Sequence, residues 1–206
     1  MYRYFFKRLI DLIVSVTVFV LLLPAFALLY VVLAIYYKGD PFFYQKRPGY
    51  HTRIFSIVKF KSMIDAFDEA GNPLPDTERL TKVGYFLRKT SLDELPQLLN
   101  VIKGDMALIG PRPLLVQYLD YYTEEEGKRH SVRPGITGLS QVSGRNYLSW
   151  NDKLRYDIEY VDNLSFLLDL QIIYKTIKKV FKSSDVVVIP STIGGRLDVE
   201  RKNMKL

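Results

Sequence analysis

From residue 12 to residue 37 the chain carries no charged side chain. A run of about 26 residues makes about 39 Å of helix, more than a hydrocarbon core of about 30 Å. It is too long for the apolar part of a signal peptide and shows no small-residue cleavage motif, so it reads as a retained membrane anchor. The alternative, a buried core helix, is disfavoured because a domain this small rarely swallows so long an apolar run. Pro24 falls near the middle and predicts a kink. Arg3, Lys7 and Arg8 precede the run, and Lys38, Lys46 and Arg47 follow it. The positive-inside rule therefore chooses no orientation. A kinked helix that enters and leaves by one face satisfies both flanks. A plain spanning helix is also physically allowed.

Composition narrows the chemistry. A net charge of +7 over 206 residues suits nucleic acid, anionic lipid or a phosphorylated small substrate. The absence of cysteine excludes disulfides and thiolate metal sites, and His51 and His130 are too few for a multi-histidine zinc centre. A hard, oxygen-liking cation such as Mg²⁺ fits what remains.

The chemistry concentrates between residues 91 and 115. Asp93 and Glu94 stand side by side, and Ser91 with Glu94 has capping-box spacing, which predicts a helix start. Leu92, Leu95, Leu98, Leu99 and Ile102 recur at helical spacing and are expected to face a core. Pro96 should loosen the first turn. First-turn acids often do no more than complement a helix dipole. Here, however, Gly110-Pro111-Arg112-Pro113 forms a stiff cationic loop, and Arg88 and Lys89 lie just upstream. Acids, a rigid arginine loop and nearby cations suit metal-assisted chemistry on a phosphate.

The flanking segments predict a mostly helical chain with a few short strands. Strands are expected over residues 42–45 and 53–60 around a Pro48-Gly49 turn, and over 106–109. Most basic residues near this hairpin read as a solvated face. Lys59 is set apart by its alternation with Phe55 and Ile57. Residues 64–82 read as a surface loop, 78–89 and 113–129 as helices, and 133–146 as a glycine-rich loop suited to phosphate or sugar. A helix over 150–163 should turn Trp150, Leu154, Ile158 and Val161 inward. Asp157 and Tyr160 lie near that seam, as candidate site-lining residues or as core-edge residues. Residues 166–182 form a basic amphipathic helix able to lie on a membrane surface. The tail beyond is expected to be loosely held.

Taken together, Lys59-Phe60-Lys61-Ser62-Met63, the Asp93-Glu94 stretch, Gly104-Asp105-Met106, Gly110-Pro111-Arg112-Pro113, Arg133-Pro134-Gly135-Ile136-Thr137-Gly138 and Gly144-Arg145-Asn146 resemble the small monotopic phosphoglycosyl transferases of the bacterial sugar transferase family. The likeness runs to about residue 184. It implies an α/β fold, mostly helical: a membrane-associated catalytic domain (39–184) with interfacial amphipathic helices, after a re-entrant membrane helix (1–38) broken at Pro24 and before a tail (185–206). It further implies a UDP-sugar donor, a polyprenyl (undecaprenyl) phosphate acceptor, UMP release and a site at the cytoplasmic face of the bacterial inner membrane, in glycoconjugate biosynthesis. By the same resemblance Asp93 is the nucleophile, Glu94 is tied to Mg²⁺, and Lys59, Arg88, Arg112 and Arg145 surround the phosphates. Two departures are Leu23, where serine commonly precedes the proline, and Ala107, where serine commonly follows Gly-Asp-Met. The rival reading is a non-catalytic membrane-tethered protein that binds or scaffolds anionic lipid. It gives no reason for the acid pair. A nucleic-acid partner fits the charge but not the uncharged run, and none is expected.

Overall fold

The computed structural model describes residues 1–144, 147–182 and 195–202. After a π-helical turn at Tyr2–Phe6, helix α1 runs over Lys7–Tyr37, and its helical pattern continues through Pro24. Lys38 closes it in the left-handed region, donating its amide to the carbonyls of Ala34 and Ile35. Helix α1 is long and apolar enough to cross a membrane, and side chains such as Val20, Leu21, Leu28 and Ile35 are exposed.

Both ends of α1 touch the rest of the molecule. Near its start Lys7, Asp11 and Ser15 are buried. Arg8 donates to the carbonyls of Val101 (2.6 Å) and Ile102 (3.0 Å), meeting the open end of another helix with positive charge. Lys7 Nζ lies 2.9 Å from Asp169 Oδ2. Near its end Leu33 is fully buried against Phe60 and Leu87, with Phe26, Leu29 and Tyr37 around them. Between these contacts residues 20–25 are exposed.

Strand β1 (Phe42–Pro48) pairs antiparallel with β2 (Ile54–Phe60), from Phe42 opposite Phe60 to Pro48 opposite Ile54. The link is longer than a tight turn, because His51 and Thr52 both take left-handed backbone. The expected loop contains a short helix, α2 (Asp76–Arg79). Helix α3 (Lys82–Thr90) starts later than its apolar spacing suggests, because Thr81 caps it by accepting from the Gly84 amide at 2.9 Å.

The expected capping box at Ser91 does not form. Ser91 is left-handed (φ 58°) and ends α3 instead of starting a helix. One 3₁₀ turn, Leu92–Glu94, follows, and α4 (Gln97–Lys103) begins only after Pro96. A continuous helix would need the amide that Pro96 lacks. Leu99 consequently faces solvent, while Gln97, Asn100 and Val101 are buried.

Strand β3 (Ala107–Ile109) pairs parallel with β4 (Gly135–Thr137). The expected helix over 113–129 is instead a 3₁₀ segment (Val116–Tyr121), the short α5 (Glu124–Gly127) and a second 3₁₀ turn (Lys128–Ser131). The break is local: Tyr122 is extended, and Thr123 with Glu126 forms a full capping box that starts α5 afresh. The glycine-rich stretch is likewise partly regular, supplying β4 and then α6 (Leu139–Ser143).

Helices α7 (Trp150–Asp162) and α8 (Phe166–Lys182) complete the body, with Ile109, Val132, Leu139, Tyr160, Val161 and Ile172 in one core. On α8, Asp169 and Ile172 turn inward, while Phe166, Leu167, Leu170, Tyr174, Ile177 and Val180 form an exposed apolar face. The described part of the tail is not loose. Helix α9 (Leu197–Glu200) buries Leu197, and Arg201 reaches both carboxylate oxygens of Glu126 at 2.6 and 2.8 Å.

Candidate active site

Three local devices bring the site together. Asn100, on α4, acts as a backbone surrogate for β2: its Nδ2 donates to the Ser56 carbonyl at 2.8 Å, and its Oδ1 accepts from the Val58 amide at 3.0 Å. This pins α4 to the strand and sets Lys59 beside the acid pair. Gly84 lets α3 lie directly on Ser62, since a Cβ there would sit 1.7 Å from the Ser62 carbonyl oxygen. Arg88 on α3 then donates to Ser62 Oγ at 3.0 Å. Gly135 approaches Gly110 so closely that a Cβ would lie 2.1 Å from the Gly110 amide nitrogen, which fixes the base of the Pro111-Arg112-Pro113 loop. In its described part this glycine-rich stretch packs closely on Gly110.

The acids sit in the 3₁₀ turn with different surroundings. Glu94 Oε1 accepts from both Lys59 Nζ and Arg112 NH2, each at 2.7 Å. Asp93 is only 8 % exposed, and its nearest cation is Lys59, with Nζ 4.0 Å from Oδ2. Burial pushes the Asp93 carboxyl up to about 6; Lys59 pulls the other way, and the Glu94 charge adds to the rise. Burial also opposes the Glu94 charge, but Arg112 and Lys59 outweigh it and hold that carboxyl well below the usual carboxylate range. Two neighbouring acids are therefore pushed apart: one is a locked anion, the other a less stabilised and more basic carboxylate.

Arg112 is held from behind. Arg129, 3 % exposed, donates from NH2 to the Arg112 carbonyl at 2.6 Å and from Nε and NH2 to Asp157 Oδ2 at 3.1 and 2.8 Å. Asp157 Oδ1 accepts from Ser140 Oγ at 2.9 Å. Asp157 accordingly does not line the site. It is fully inside, supporting the loop that carries Arg112. Tyr160 is also interior, donating to the Ile109 carbonyl (3.1 Å) and to Asp169 Oδ1 (2.8 Å). Lys59, Arg88, Asp93, Glu94 and Arg112 thus come together as expected from sequence. Arg145 lies outside the described residues. Asn100 and Arg129 are the residues that sequence reasoning missed: their partners are backbone groups and a buried acid far along the chain, and no local pattern marks them.

No group of three or more His, Cys, Asp or Glu side chains among the described residues makes a protein-only metal site. Both protein bonds to Glu94 fall on one oxygen, however. That donor set fits Mg²⁺, which takes one or two carboxylates and completes its shell with phosphate oxygens and water.

The family model described as bacterial sugar transferase matches residues 2–183. An uncharacterized sugar transferase, EpsL of Bacillus subtilis, is 50 % identical over 182 residues, covering 87 % of this chain and 89 % of that one. The UDP-galactose-lipid carrier transferase of Erwinia amylovora is 38 % identical over 86 % of this chain, and the undecaprenyl-phosphate galactose phosphotransferase of Salmonella typhimurium is 37 % identical over 86 %. This chain spans only 41 % of each of those two longer proteins. A match of this extent, over a site that pairs a basic carboxylate with a cation-locked one, means that the chain is a transferase and belongs to the bacterial sugar transferase family.

Proposed function

We propose that this chain transfers a phospho-sugar from a UDP-sugar to polyprenyl phosphate, releasing UMP, through a covalent intermediate on Asp93. The observation that carries the reading is the asymmetry of the acid pair: Glu94 is held by two cations and Asp93 is not. The names of the longer relatives, which specify undecaprenyl phosphate and a lipid carrier, point to the same acceptor class.

Asp93 attacks the phosphorus that bears the sugar, and the bond from that phosphorus to the nucleotide phosphate breaks. The electron pair leaves on UMP, and a mixed anhydride remains on Asp93. A phosphate oxygen of the lipid then attacks the same phosphorus, releases the Asp93 carboxylate and yields the lipid diphosphate sugar. Lys59 and Arg112, already oriented by Glu94, face the diphosphate without reorganising. Glu94, with Asp93 and the diphosphate oxygens, would hold Mg²⁺, which when bound offsets the negative charge of the donor. The exposed apolar face of α8 and the exposed middle of α1 support a site held at the membrane surface. The contacts at both ends of α1 with one body support a re-entrant anchor rather than a crossing one, here assigned to the cytoplasmic face of the inner membrane.

The test is the half-reaction. Donor and Mg²⁺ without lipid should release up to one equivalent of UMP per protein and leave a phospho-sugar on the peptide containing Asp93. Release of a nucleoside diphosphate, or label on a peptide without Asp93, refutes the reading.

A further inference from the structure

Arg201 stands outside the family match, which ends at residue 183. Its guanidinium is nevertheless tied to three residues of the body. NH1 donates to the Tyr121 carbonyl at 3.0 Å and to Glu126 Oε2 at 2.6 Å. NH2 donates to Glu126 Oε1 at 2.8 Å and to Asn151 Oδ1 at 2.7 Å. Arg201 is 9 % exposed, and Leu197, one turn earlier, is fully buried. The same stretch is docked at two more points: Gln117 Nε2 donates to Asp198 Oδ2 at 2.7 Å, and Trp150 Nε1 donates to the Gly195 carbonyl at 2.9 Å. A two-pronged arginine–carboxylate pair fixes orientation as well as adding energy.

What Arg201 holds is the segment that carries Arg129. Glu126 Oε2 also accepts from the Thr123 amide at 2.9 Å, so one carboxylate oxygen both closes the capping box of α5 and takes a bond from Arg201. The Lys128 amide donates to the Glu125 carbonyl, and the 3₁₀ turn with Arg129 continues directly from α5. Upstream, Tyr121 gives its carbonyl to Arg201, and the hydroxyl of the next residue, Tyr122, accepts from Arg129 NH1 at 3.1 Å. Arg129 NH2 in turn donates to the Arg112 carbonyl at 2.6 Å. Through Asn151, Arg201 also reaches α7, the helix whose Asp157 neutralises Arg129 at 2.8 Å. The segment on either side of Tyr122, and the helix behind it, are thus tied to one guanidinium. The contacts run unbroken from the tail to the backbone of the Arg112 loop.

We propose that Arg201 is a positioning residue for the donor site: it sets Arg129, and through Arg129 the loop from which Arg112 meets the donor diphosphate. The proposal rests on the phosphoryl-transfer reading above, which puts Arg112 against that diphosphate. It adds no covalent step. It makes the docked tail a working support of the active site.

The experiment is titration of UDP, which carries the nucleotide and the diphosphate but no sugar, into the detergent-solubilised full chain with Mg²⁺ and no lipid acceptor. Wild type, Arg201→Gln and Arg201→Lys are compared, and melting temperatures are recorded. A contact that acts at a distance should weaken UDP binding by about fivefold in Arg201→Gln. A smaller loss, about twofold, is expected in Arg201→Lys, which keeps the charge but not the planar fork. The decisive arm repeats Arg201→Gln in an Arg112→Gln background. There it should change UDP binding by less than about twofold, because positioning acts only through the group it positions. A general loss of stability would not show that dependence on Arg112. Wild-type UDP affinity in Arg201→Gln overturns the proposal whatever the melting temperature, and so does an equal loss in both backgrounds. If Arg201→Gln fails to fold, Arg201→Lys is judged by the same two outcomes. A wild-type protein that binds no UDP overturns the proposal together with the donor reading. Release of a nucleoside diphosphate in the half-reaction overturns the covalent reading alone and leaves the Arg201 result standing.

Discussion

Replacing Asp93 by asparagine should abolish turnover and make the protein more stable. The folded state holds the Asp93 carboxyl near 6, above its ordinary 3.8. Folding therefore favours the protonated acid, and its ionised form costs stability. The sign follows from proton binding: the folded state binds this proton more tightly, so stability falls as pH rises from about 4 through about 6. A rise of about 2 pK units corresponds to about 3 kcal/mol, present in full above pH 6. At pH 4.5 the same shift leaves only about 1 kcal/mol. Asparagine has no charge to bury, so the variant should exceed wild type by up to about 3 kcal/mol at pH 8, or about 6–12 °C in melting temperature for a chain of this size. The gap should shrink to about a third at pH 4.5. Paired melts of the two detergent-solubilised proteins across this range would measure it, since other titrating groups cancel between them. An asparagine variant less stable than wild type at pH 8, or a gap that does not change with pH, would refute the idea that Asp93 is held as a strained anion.

Wild-type turnover should fall as pH drops through about 6, because the attacking carboxylate becomes protonated, and a pH–rate profile of the half-reaction would show it. Glu94→Gln should not be a silent fold: it leaves Lys59 and Arg112 facing each other with a neutral partner, costing about 2 kcal/mol by denaturant titration as well as most of the Mg²⁺-dependent activity. Arg129→Met strands a buried Asp157, and Asp157→Asn strands the buried Arg129 charge; each should cost about 3–5 kcal/mol in a denaturant titration and raise the KM for donor by loosening Arg112. Single cysteines at Tyr4 and Arg53 should react with a membrane-impermeant thiol reagent from the same side only; labelling from opposite sides would establish a crossing helix.

What could be read from sequence depended on how local its cause was. The apolar run of α1, the hairpin and α7 were legible because their periodicity lies within a few turns of chain. The acid pair stood out because Pro96, Arg88 and Arg112 are near it in sequence. The helix start at Ser91 was misread because capping spacing does not reveal a left-handed residue that closes the preceding helix. Asp157 was correctly placed on an inward seam, but its partner Arg129 lies in a segment that looked like one helix and is three short pieces. Arg47 looked like any exposed cation of a basic hairpin; only tertiary packing buries its Nε. Asn100 satisfies β2 in place of a strand, a substitution with no periodicity at all.

The pairing of Lys7 with Asp169 also sets an order of events during biosynthesis. Lys7 emerges from the ribosome 162 residues before its partner. At about 5–20 residues per second, that is a wait of about 8–30 s. For all of that time Lys7 has only Asp11, 3.6 Å away on the same helix, to pair with, and two charges so loosely paired are costly to take into hydrocarbon. On the re-entrant reading proposed above, this cost keeps the start of α1 on the side of the bilayer where the later residues are delivered. On that reading the nascent anchor waits at its threshold until α8 arrives and Asp169 closes the contact with Lys7 at 2.9 Å.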